Sequence, residues 1–224
     1  IEAFTKLTIT KPSSPSPIHT DPTPLSTSLK LAPQPHVRKT TFEIDKQFGE
    51  ICDRVWGCTS CPRHQARHLI GSGHYGAQIM FVVAQPLEQD LNTGYFFMGQ
   101  SQRELFNGLL KAMSLSRMEV YLTSLLKCGS EVPKPHEWAQ CQNHFLDELQ
   151  VVRPQIIVAL GYMTSVILLG NQVRQGVWGR YQEIDIMPTF HPEDIIKGGD
   201  KLKRSFWNHL RLVMRKVGLE NLES

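Results

Sequence analysis

No stretch of this chain approaches the ~18 consecutive apolar residues of a membrane-spanning helix, so no helical span is expected. No internal repeat is visible, and no secretory signal pattern opens the chain, which starts on Ile1 as a trimmed or processed chain would. Cysteine is scarce and odd in number, with five unevenly spread through 224 residues. That pattern argues against a secreted disulfide framework. It favours a reducing, cytoplasmic compartment in which thiols bind metal or stay free. Strong charge of one sign is also missing. A net charge of +3 tolerates nucleic acid as a partner without demanding it.

What is present divides in two. Residues 11–35 carry seven prolines among Ser and Thr, with few large apolar side chains. Such a stretch cannot bury enough surface to offset its ordering entropy, so 1–40 reads as a disordered arm. The arm is either an inert linker or a docking segment for a protein partner. Residues 41–224 read as one folded domain, in keeping with 41% hydrophobic and 20% charged residues overall.

In that domain the hydrophobic period alternates between helical and extended. Ile44, Phe48, Ile51 and Val55 recur at helical spacing; "QIMFVVAQ" (78–85), "EVYLT" (119–123), "PQIIVALG" (154–161) and "EIDIMPTFHP" (183–192) read as buried strands. Between and after them lie helical patterns at 101–113, 136–149 and 201–218, with a short apolar helix after Gly161. The last carries Leu202, Phe206, Leu210 and Val213 inward. Its outer face holds Lys201, Lys203, Arg204, Arg211 and Arg215, a solvated face or a set of phosphate contacts. The expectation is an α/β three-layer sandwich around a mostly parallel four-stranded sheet. Its ligands would sit beyond the carboxyl ends of the strands, in 84–99, 124–135 and 189–197.

The Cys-x-x-Cys of "CTSCPRH" (58–64) is a redox dithiol, half of a zinc site or half of an iron–sulfur site. A thioredoxin-like pair would sit between a strand and a helix, whereas this one follows a helix and enters a loop. Cys58, Cys61, His64 and His68 could form a local zinc site, but eleven residues leave little chain to close a tetrahedron. Cys128 and Cys141 offer a second pair if the fold brings it to the first. Four such thiolates suit Cys₄ zinc or a [4Fe–4S] cluster. Cys52 reads as a buried helical thiol.

Five segments, in order, resemble the iron–sulfur, family 4-type uracil-DNA glycosylases. "CTSCPRHQAR" is similar to the family's C-x-x-C-P-L-x-x-x-R, and "PLEQDLNTGYFFMG" to its P-G-x-x-E-D-x-x-G-x-P-F-V-G, with Pro86, Gly94, Phe97 and Gly99 in register. "VYLTSLLKC" resembles the strand ending T-N-x-x-K-C, "VRPQIIVALG" the x-x-P-x-x-I-x-x-L-G, and "MPTFHPEDII" the x-P-T-x-H-P-x-x-L. The resemblance implies a uracil-DNA glycosylase-like fold and a [4Fe–4S] cluster on Cys58, Cys61, Cys128 and Cys141. It also implies DNA, single- or double-stranded, as partner. Uracil would be extruded from the stack, Phe97 would stack on it, and His191 would stabilise the departing anion.

The resemblance breaks at two positions. Ala84 stands where the family has Glu, and a methyl can neither hold a water nor carry charge. Ser124 stands where the family places an Asn, and a hydroxyl lacks the paired donor and acceptor of an amide. The loop between Cys128 and Cys141 is shorter and lacks the family's P-P-G-N-R. Gln85 is a stand-in for holding water, with Glu88 and Asp90 as stand-in carboxylates; Gln85, Ser124 and Phe97 are the candidate substrate contacts. Two functions are therefore expected. One is a DNA replication or repair module with weakened or lost excision, binding DNA or a protein partner through the 1–40 arm, for example as a psi-like accessory subunit of a clamp loader. The other is an active glycosylase hydrolysing the N-glycosidic bond of deoxyuridine. A Cys₄ zinc scaffold unrelated to DNA is the third reading.

Overall fold

Ile79, Phe81 and Val83 alternate with Met80 and Val82, and every one of the five is buried, so this strand must be covered on both faces. The computed structural model describes residues 41–129, 131 and 134–219; the arm read over 1–40 lies outside them. The strands are β1 (Ser72–Gly73), β2 (Ile79–Val83), β3 (Tyr121–Ser124), β4 (Ile156–Leu160), β5 (Gly179–Tyr181) and β6 (Ile184–Thr189), in the sheet order β1-β3-β2-β4-β6-β5. The helices are α1 (Thr41–Trp56), α2 (Glu88–Thr93), α3 (Gln100–Ala112), α4 (Pro135–Val152), α5 (Tyr162–Leu169) and α6 (Pro192–Lys216).

The four strands expected from apolar runs are the parallel centre β3-β2-β4-β6. Two short antiparallel edge strands, β1 and β5, extend it to six. The alternation within each strand divides the core. Ile79, Phe81, Leu122, Val158 and Met187 pack with α3 and α6, including Phe106, Phe206 and Leu210. Met80, Val82, Tyr121, Ile157 and Ile186 pack with α4 and α5 on the other face, including Phe145 and Ile167. This is the three-layer sandwich, with α1 laid against α4 and tied to it by Arg54–Asp147 at 2.9 Å. Each fully buried large side chain contributes about 1.5–3 kcal/mol through burial. Gly73 has a φ of 130°, and a Cβ there would lie 1.9 Å from the Val120 carbonyl oxygen, so β1 can reach β3 only through glycine.

An ion pair lies inside this core. Lys127, 1% exposed, sets its Nζ 2.6 Å from Glu148 Oε2, 2.7 Å from Thr123 Oγ1 and 2.6 Å from the Ser124 carbonyl. Thr123 also donates to Glu148 Oε2, and Gly71 N–H donates to Glu148 Oε1 at 2.9 Å. Every charged atom is engaged, which is the condition for tolerating a buried ion pair. Lys127→Met, which strands Glu148, is expected to cost about 3–5 kcal/mol in urea unfolding. Lys127→Met/Glu148→Leu should recover a large part of it.

Candidate functional site

Parallel pairing brings Val83 level with Ser124 and Leu160 level with Thr189, so the carboxyl ends of the central strands open onto one edge. The chain leaving β2 turns through α2 to Gly94, at φ 76°, and then Phe96 and Phe97. Asp90 fixes this loop. It is 1% exposed; its Oδ2 accepts from Leu87 N–H at 3.1 Å and its Oδ1 from Phe97 N–H at 2.8 Å. Burial raises its carboxyl above the usual range, while those backbone donors and Arg117 oppose the rise. Arg117 donates to the Phe96 carbonyl at 2.7 Å and the Phe97 carbonyl at 3.2 Å, from a position over the Phe106 ring. Together they hold Phe97 at φ 57°, a left-handed backbone that a bulky residue rarely adopts. Asp90 is thus committed to shaping the loop.

The chain leaving β6 ends at His191, which caps α6. Glu193 N–H donates to His191 Nδ1 at 3.3 Å, which leaves the neutral ring's proton on Nε2. Burial lowers the His191 pKa, Lys197 lowers it further, and Glu193 and Asp194 oppose the fall. At neutral pH this imidazole is an uncharged Nε2–H donor. Phe97 meets it edge-on with ring centroids 6.0 Å apart, so the fold brings these two residues together. Phe97 is itself 1% exposed, with its ring against Phe106 at 4.9 Å. Gly161, with a φ of 91°, lies so close that a Cβ would stand 3.3 Å from His191 Cβ.

The other candidate contacts fall differently. Ala84 is half-buried against the α4 face of the core. Gln85 is half-buried at the start of the loop. Ser124 is wholly buried, and its hydroxyl donates to the Leu126 carbonyl at 2.5 Å. Glu88 is exposed and lines a groove of about 480 Å³ beside the His191 turn, with Gln89, Gly99, Gln102, Glu193 and Lys197. Gln102 Nε2 bridges that groove to Glu193 Oε1 at 3.0 Å. The basic residues named on the last helix are exposed.

The two cysteine pairs are brought together by backbone. His68 bridges Cys128 in an antiparallel contact, and Leu69 N–H donates to the Lys127 carbonyl at 2.6 Å. Arg63, from the short 3-10 helix Pro62–Gln65, donates to the carbonyls of Cys128 at 3.0 Å and Glu131 at 2.8 Å, and pairs with Glu137 at 3.5 Å. Burial, with the fields of Cys141, Cys61 and Cys58, pushes the Cys128 thiol up to about 12 despite Arg63. Cys141 also feels Cys58 and Cys61, and its Sγ accepts from Lys127 N–H at 3.4 Å. These four thiols therefore share one neighbourhood, whereas Cys52 is raised by burial, Glu148 and Asp53 rather than by them. Among the described residues no three His, Cys, Asp or Glu side chains come together as ligands of a single ion. His64 Nδ1 is 2.7 Å from the Cys61 carbonyl oxygen instead.

Burial lowers the pKa of His68, His144, His191 and His209 alike. The unfolded chain takes up protons near pH 6.5 that the fold refuses, so stability falls as pH drops below about 6.5. Asp90, whose pKa is raised, works in the opposite sense. A lower melting temperature at pH 5.5 than at pH 7.5 is the expected result, and scanning calorimetry checks it.

The parallel sheet, the loop–histidine edge and the four-thiol neighbourhood define a protein class that sequence comparison identifies. The chain belongs to the uracil DNA glycosylase superfamily, whose family model matches residues 70–211. Within it the chain is a family 4-type member. It is 30% identical to the type-4 uracil-DNA glycosylase of Thermotoga maritima over 166 residues, 69% of this chain and 86% of that protein. It is 25% identical to that of Archaeoglobus fulgidus over 170 residues, 67% and 84% of the two chains. A DNA polymerase of Bacillus phage SP01 is 25% identical over 133 residues, 57% of this chain but 14% of the polymerase. No helix of the described residues is long and apolar enough to cross a membrane.

Proposed function

We propose that this chain is an iron–sulfur, DNA-binding member of the superfamily, acting in DNA repair, whose base-excision step is weakened. One observation carries the reading. The Phe97–His191 pair is assembled, yet position 84 offers a methyl and position 124 a hydroxyl already bonded to Leu126. Hydrolysis breaks the bond between the sugar C1′ and uracil N1. The electron pair leaves with uracil, and water adds to C1′ and loses a proton. His191 Nε2–H can donate to the uracil oxygen as its charge develops, and one such donor is worth about 10²–10³ in rate. No carboxylate stands at position 84 to take the water's proton or to support the cationic sugar. The active-glycosylase reading is favoured only by that neutral, correctly protonated histidine. The protein-partner reading, the psi-like subunit included, rests on residues 1–40 alone.

The donor set suits a [4Fe–4S] cluster. Four thiols share one neighbourhood, the nearby His64 ring is turned to the Cys61 carbonyl, and Cys141 has a backbone N–H of the kind that tunes cluster sulfurs. A four-iron cube spreads its thiolates wider than one ion does. When bound, it would tie the 58–69 segment to β3 and α4.

The test is anaerobic purification, iron analysis, and uracil excision and DNA binding by the full chain. About four irons per chain are expected, with DNA affinity that falls steeply with salt and slow excision lost in His191→Ala. Excision at the 1–10³ s⁻¹ of ordinary enzymes would overturn the weakened step. Absence of DNA affinity in iron-loaded protein would overturn the DNA reading.

A further inference from the structure

His209 lies eighteen positions beyond His191 on α6, yet it grips the residues just before it. Its Nδ1 is 2.8 Å from the hydroxyl of Thr189, a residue that is wholly buried. Its ring stacks on Phe190, with centroids 5.5 Å apart and planes 19° from parallel. Its far edge abuts Gly176, where a Cβ would stand 2.3 Å from Nε2, and Gly176 N–H in turn holds the Pro188 carbonyl at 2.8 Å. The imidazole is therefore fitted between Thr189, Phe190 and Gly176.

A brace is needed here because α6 is not one rigid rod. Gly199, at φ 65° and ψ −157°, breaks it into a short first part capped by His191 and a long second part that carries the core residues Phe206, Leu210 and Val213. A cap on the first part cannot by itself fix the 189–191 turn relative to the second part. His209, on the second part, bonds directly to that turn. The Thr189 carbonyl also accepts Gly161 N–H at 2.9 Å, which joins the turn to the start of α5 on its other side.

We propose that His209 is a positioning residue for His191: by bonding Thr189 and stacking on Phe190, it fixes the two residues that precede His191 to the second part of α6. His209 itself touches no reacting atom. A displacement of the turn by a fraction of an ångström is enough to misalign a hydrogen-bond donor and slow a reaction by one or two powers of ten. The catalytic consequence rests on the function proposed above, but the positioning itself does not.

The experiment records the ¹⁵N ring signals of His191 in the full-length, iron-loaded chain and in His209→Ala, His209→Asn and Thr189→Val. In wild type His191 should show one Nε2–H tautomer and a titration midpoint below about 6.5. His209→Ala should mix the tautomers and move the midpoint toward that ordinary value. His209→Asn, whose amide can still bond Thr189, should restore most of the wild-type signature. Uracil excision should fall about ten-fold in kcat for His209→Ala, with KM within two-fold. His191 signals that superimpose on wild type in His209→Ala would overturn the proposal. Should that variant fail to fold, Thr189→Val removes the same hydrogen bond from the other side, and unmoved His191 signals there overturn it equally. A wild-type chain that binds DNA but excises nothing would count against the excision reading alone, because the tautomer still decides the positioning role.

Discussion

Ala84→Glu is expected to raise the single-turnover rate of uracil excision by about 10²–10⁴, the range for a positioned general acid or base. The backbone around this residue is already set. Its carbonyl accepts Leu126 N–H at 3.0 Å, so the residue continues the β2–β3 pairing one step beyond the strands. Its side chain is half-buried against the α4 face of the core, just beyond the carboxyl end of β2. A carboxylate introduced there would have to extend past that face to reach the carboxyl edge of the sheet. The substitution should cost about 1 kcal/mol in urea stability, the centre of the range for single changes. His191→Ala in the Ala84→Glu background should erase the gain, because a base that activates water is of little use without a donor for the departing anion. An unchanged rate in well-folded Ala84→Glu protein would mean that position 84 does not face the reacting bond.

Ser124→Asn is the less informative repair. Ser124 is fully enclosed and its hydroxyl satisfies the Leu126 carbonyl, so a larger side chain would strain a closed core and lose that bond. The two departures from the family pattern looked equivalent in sequence. In the fold they differ, Ala84 half-buried just beyond β2 and Ser124 fully enclosed.

The four central strands were legible because doubly covered strands are short, continuous apolar runs, and such runs are hard to mistake when bounded by turns. The edge strands were not. Two and three residues carry no period, and they pair only because β3 and β6 present free edges. The last helix was read from residue 201, where its apolar period begins. In the structure the helix already starts at Pro192, and Gly199 only breaks it. Lys127 was hidden for a different reason. A lysine next to a cysteine reads as surface, and only the arrival of Glu148 from α4 makes its burial tolerable. Asp90 was weighed as a mobile carboxylate, and its use by two backbone N–H groups depends on a loop shape that sequence does not encode. The thiol chemistry was half legible. Four cysteines in two pairs name the ligand type, but their meeting depends on the His68–Cys128 bridge and on Arg63.

Cys128→Ser should therefore remove more than a ligand. With the cluster bound, the covalent path from Cys61 to Cys128 would close a loop of more than sixty residues across the sheet. By the chain-entropy scale for such cross-links that is worth about 4 kcal/mol. At about 2–4 °C per kcal/mol for a chain of this size, the melting temperature should drop by roughly 10 °C or more, and the brown colour should vanish. Cys141→Ser should match it, since its thiol shares that neighbourhood, while Cys52→Ser should keep both colour and melting temperature. The pH dependence separates a bound cluster from simple packing. Without a cluster the Cys128 thiol, held near 12, stays protonated at neutral pH, so assembly must expel protons. Reconstitution should accordingly go further at pH 8.5 than at pH 6.5, as followed by absorbance and iron content. Equal melting temperatures for Cys128→Ser and wild type after reconstitution with iron and sulfide, neither retaining iron, would mean that the four thiols hold no cluster, and that Arg63 and the His68–Cys128 bridge join the two halves of the centre.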